Sequence, residues 1–62
     1  MTTNGLTTAQ MGQYNAMLDM NVGAEDALIL SKAGLSAETL ALMAATHNES
    51  ASTYAATLAN QL

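Results

Sequence analysis

Apolar and polar positions along the chain fall into four short helical stretches separated by turn signals. After a polar start, Met11, Tyr14 and Leu18 recur at helical spacing with Met17 beside them, which predicts a first helix over residues 8–20. Thr7 and Gln10 have the spacing of a capping box, in which each side chain bonds the other's backbone amide. Asn21-Val22-Gly23 supplies the breaker. The second helix is expected over 24–33. Glu25 and Asp26 lie in its first turn and Lys32 in its last, both matching the helix dipole. Its run Ala27-Leu28-Ile29-Leu30 is apolar around most of the circumference, the mark of a central, buried helix.

Gly34 stands where a left-handed residue ends a helix, and Ser36 where an N-cap begins the next. Leu35 and Leu40 have the spacing of a hydrophobic staple. A third helix is expected over 37–47. The stretch Thr46-His47-Asn48-Glu49-Ser50 is poor in helix propensity, and a fourth helix over 50–61 would follow. Its stripe is Ala51, Tyr54, Ala55, Leu58 and Leu62. The apolar steps at 40, 44, 47, 51, 54 and 58 run on without interruption, however, so one helix over 37–61 is the alternative. Propensity favours a break near Asn48. The expected fold is all-α: a compact bundle of three to four short helices, with residues 1–6 as a polar arm and 7–62 as a single small domain.

Composition changes this picture in two ways. Thirteen of the apolar residues are alanine, and there is one Ile, one Val and no Phe or Trp, so the core is thin. A chain of 62 residues buries only about 60% of the surface that its unfolded form exposes. Small domains often add a disulfide framework or a structural metal, but this chain has no Cys and one His. Charged residues are 10% of the chain, against roughly 25% in ordinary domains. A weakly charged surface of small residues permits close approach of another chain. The absence of a long apolar run and of a signal-type N-terminus points to a cytoplasmic protein, or one packaged from the cytoplasm into an assembly.

Candidate chemistry is sparse. Residues 29–43 resemble a helix-turn-helix, with apolar Ile29, Ala33, Leu35, Leu40 and Met43 placed around the turn glycine Gly34. The resemblance implies a regulator, yet the net charge is −4 with one Lys and no Arg. DNA binding rests on neutralising phosphates, so the charge disfavours it. Five carboxylates are also too few to imitate a phosphate track. Asp19-Met20-Asn21-Val22-Gly23 begins like a calcium loop, but its glycine comes one position early and Leu30 takes the place of the bidentate Glu. His47 has no nucleophile–base–orienter arrangement nearby in sequence and reads as half-buried or interfacial. Asn48-Glu49-Ser50 fits a glycosylation acceptor by chance.

Met11, Met17, Met20 and Met43 remain, as core fillers or as an adaptable docking surface. The reading is a non-enzymatic protein-binding or structural subunit without catalytic residues, cofactor, metal or evident small-molecule substrate. Its partner would be another protein or copies of itself, neither nucleic acid nor membrane. The candidate interface is Met17, Met20, Tyr54, Leu58 and Leu62.

Overall fold

Three of the four helix C-terminal ends in this chain are built by one device, and its repetition fixes the fold. The computed structural model describes residues 5–62. Helix α1 spans Thr8–Asp19, α2 Ala24–Lys32, α3 Ala37–Thr46 and α4 Ala51–Asn60. After α1, α2 and α3 a residue takes the left-handed conformation: Asn21 (φ 66°), Gly34 (φ 89°) and Asn48 (φ 58°). The next N–H then reaches back five residues along the chain. Val22 donates to the Met17 carbonyl at 3.1 Å, Leu35 to Leu30 at 3.1 Å and Glu49 to Ala44 at 2.9 Å. Each closes a Schellman motif and satisfies a carbonyl the helix end leaves open.

Three of the four starts carry a side-chain cap; α2 begins at Gly23 without one. Thr7 accepts from the Gln10 amide at 3.2 Å while Gln10 accepts from the Thr7 amide at 2.9 Å, the expected capping box. Ser36 accepts from the Thr39 amide at 3.1 Å, and Ser50 from the Thr53 amide at 3.2 Å. Helix α3 has a second cap from outside: the Gln13 side chain on α1 accepts from the Ala37 amide at 2.8 Å. That bond ties α1 to the start of α3. The uninterrupted helix over 37–61 does not form, because Asn48 turns the chain and Ser50 restarts it.

The core joins Met17, Val22, Ala27, Leu30, Ala37, Leu40, Ala55 and Ala59. Helices α1 and α4 each pack on both α2 and α3, so the four form a closed ring with α2 facing α3 across it. The expected central place for α2 is therefore corrected. Ile29 is 41% exposed and Leu28 half-buried. The physical reason is the alanine at the contacts (Ala27, Ala37, Ala55, Ala59), which lets short backbones approach closely and divide one core among all four. The radius of gyration is 10.5 Å, matching the roughly 10–11 Å of a compact chain of this length. Its accessible surface of 3802 Å² is close to the roughly 3,800 Å² of a folded monomer of this mass.

Two side chains depart from expectation. Leu6, read as part of a polar arm, is buried, 1% exposed. It precedes the N-cap Thr7, a place where an apolar residue folds back onto the first turns of its helix. The rest of that arm, residues 1–4, lies outside the described residues. Ser31 is also buried in the interior, where its hydroxyl donates to the Met17 sulfur at 3.9 Å.

Candidate functional site

The ends of three helices and one turn leave an apolar groove of about 290 Å³. Helix α2 contributes Leu30 and, just past its end, Ala33; the turn contributes Gly34 and Leu35. Met43 comes from α3, Leu58 from α4, and Leu62 from beyond the α4 cap. The Gly34 turn positions one wall, since the Leu35–Leu30 bond folds Leu35 back beside α2. Leu62 stands 67% exposed at the rim. No charged side chain lines the groove, and no cluster of hydroxyls or amides converges on it. Its chemistry is apolar contact.

The expected interface residues separate here. Leu58 and Leu62 line the groove together. Tyr54, one turn before Leu58 on α4, is half-buried against the core and stacks on His47, ring centroids 4.8 Å apart and 20° from parallel. Met20 is half-buried at the C-cap of α1 and takes no part in the groove. Met17 is a correction: it is wholly buried, beneath the Ser31 hydroxyl, and presents nothing to a partner. The left-handed turn at Asn21 draws Val22 back toward Met17 and closes the core over it. His47 is exposed, more so than expected, although its ring is held by Tyr54.

Sequence reasoning weighed Met43 with the other methionines as a core filler or docking residue, and missed the remaining groove residues, Leu30, Ala33, Gly34 and Leu35, as a surface. It also passed over Leu42, 70% exposed on α3. A signal existed for Leu42: it lies off the stripe made by Leu40 and Ala44. No comparable signal marked the groove, which exists only where non-consecutive helix ends meet.

A smaller hollow of about 180 Å³ involves Gln10, Gln13, Ser31 and Ser36. These side chains already serve as helix caps or, for Ser31, bond Met17. They build the fold instead of a ligand site. Among the described residues no three metal-ligating side chains come together, and no single helix is long and apolar enough to cross a membrane.

The α2–Gly34–α3 unit bends by 108°, within the roughly 90–120° of a helix-turn-helix. Its packing differs from that motif. Ile29 and Ala33, two of the five apolar positions, are exposed, while Leu30 and Ser31 point inward. The exposed start of α3 carries Glu38 and Thr39 and no base.

Fold and groove together define a small four-helix bundle with an apolar groove on its surface. Comparison with protein-family models, curated proteins and solved structures finds no match for this chain.

Proposed function

We propose that this protein is a non-enzymatic binding or structural subunit that docks through the groove between α2, α3 and α4, on another protein or on copies of itself. The observation that carries this reading is the apolar lining, with Leu62 held 67% exposed at its edge. Exposed apolar surface concentrated in a concave site is the usual footprint of a contact. The low proportion of charged residues, 10% of the chain, supports the same reading. Work within a larger assembly, such as a virion, or as an accessory or inhibitor protein, suits the size and surface, as does a cytoplasmic location.

Leu62→Glu places a carboxylate at the groove mouth without touching the core. Light scattering across a concentration series, with co-purification from the source, compares it with the parent. Self-association or a specific companion should appear in the parent and weaken in the variant. Identical masses and identical companions for both would overturn the reading.

A regulator with a helix-turn-helix-like core is the second reading, favoured only by the 108° bend. Salt separates the two. Nucleic-acid binding weakens steeply as salt rises, whereas apolar docking persists.

A further inference from the structure

The groove lies where α2 and α4 end: Ala33 is the C-cap of α2, and Leu62 follows Gln61, the C-cap of α4. Two helix C-termini thus meet at one apolar site, and each carries a partial negative charge. Neither end has a basic side chain lining the groove. Helix α4 has no basic residue in its last turn. Lys32, the one basic residue of α2's last turn, lies with its side-chain end against Gly5, its Cε 3.3 Å from where a Cβ would stand, and neither residue lines the groove. The whole chain adds a net charge of −4.

Volume and walls narrow the occupant. At about 290 Å³ the groove falls just below the roughly 300–1,000 Å³ of small-molecule pockets, and it is open, so it suits inserted side chains better than an enclosed ligand. Its walls are helices, with no sheet edge to add a strand to, which leaves the helix-in-groove mode of recognition.

We propose that the occupant is an amphipathic helix of a partner protein whose apolar stripe is bordered by Lys or Arg. The apolar side chains fill the groove, and the basic ones meet the two helix C-termini. This rests on the docking reading above and adds the chemical class of the partner.

Three synthetic helices test it on the full chain: leucine–lysine and leucine–glutamate peptides of the same amphipathic pattern, and a lysine–serine peptide of equal charge without an apolar face. Methyl NMR of Met43, Leu58 and Leu62 reports groove occupancy, and titration gives affinity. The leucine–lysine helix should shift these methyls and bind about tenfold tighter than the leucine–glutamate helix. Ala33→Arg, at an exposed cap, should shrink that preference about fivefold without loss of fold. Equal binding of both leucine helices would overturn the basic partner and leave the docking reading intact. Methyls that stay unmoved with every peptide would overturn both. Binding of the lysine–serine helix as tight as the leucine–lysine one would show plain charge attraction and overturn this proposal.

Discussion

Gly12 and Gly34 show how one residue type carries opposite meanings in this chain. Gly34 has φ 89°, with open space where a Cβ would stand. Substituting alanine meets no neighbour, so the penalty is the left-handed backbone alone, about 1–2 kcal/mol. Gly12 sits inside α1 with equally open space and an ordinary helical backbone. There alanine removes unfolded-state freedom and should stabilise by about 0.5–1 kcal/mol. Urea unfolding of Gly34→Ala and Gly12→Ala should move the midpoint in opposite directions. Midpoints that move together would contradict the assigned backbone. Leu6 is the third informative residue. It is 1% exposed, so Leu6→Ala should cost about 2–5 kcal/mol, as deep core truncations do. A loss below about 0.5 kcal/mol, typical of surface changes, would return it to the surface.

Among the elements, the start of α4 decides how the chain is divided. Ser50 caps it at 3.2 Å, directly after the left-handed turn at Asn48. Ser50→Ala should cost about 1 kcal/mol. Its effect on circular dichroism should be a small loss of helix, not the gain that a merged helix over 37–61 would give. The division was legible because it rests on local chemistry: Thr7, Gly34 and Ser36 act within three or four residues of themselves, and the stretch 46–50 is poor in helix propensity. Asn21 and Asn48 carry the same left-handed turn as Gly34, with a weaker sequence signal, which is why the break at Asn48 competed with an unbroken apolar stripe. Leu6 could have been read from its place before the N-cap. The partition of Met17 inward and Met20 to the edge could not, since it depends on where α2 places Ser31. The groove was illegible for the same reason: Leu35, Met43 and Leu62 are brought together by two different helix pairings, α2 with α4 and α3 with α4.

At the scale of the whole molecule, the ring of helices depends on small residues at its contacts. Ala55 is fully buried and Ala59 nearly so, both on the α4 face that meets α2 and α3. This makes the usual hydrophobic logic run backwards. A larger apolar side chain at Ala55 would bury more area, yet it has no space and must push α4 away from its neighbours. Overpacking of this kind costs about 1–3 kcal/mol. For a domain of 62 residues, whose total stability is of order 3–9 kcal/mol, that is a large share. Ala56 is its neighbour on the same helix, with the same propensity context, but exposed. Ala56→Leu should stay within about 0.5 kcal/mol of the parent, and Ala55→Leu should fall well below it in thermal and urea unfolding. If Ala55→Leu were as stable as Ala56→Leu, the core would have room to spare, and close approach through alanine would no longer explain why four short helices share one interior without a central member.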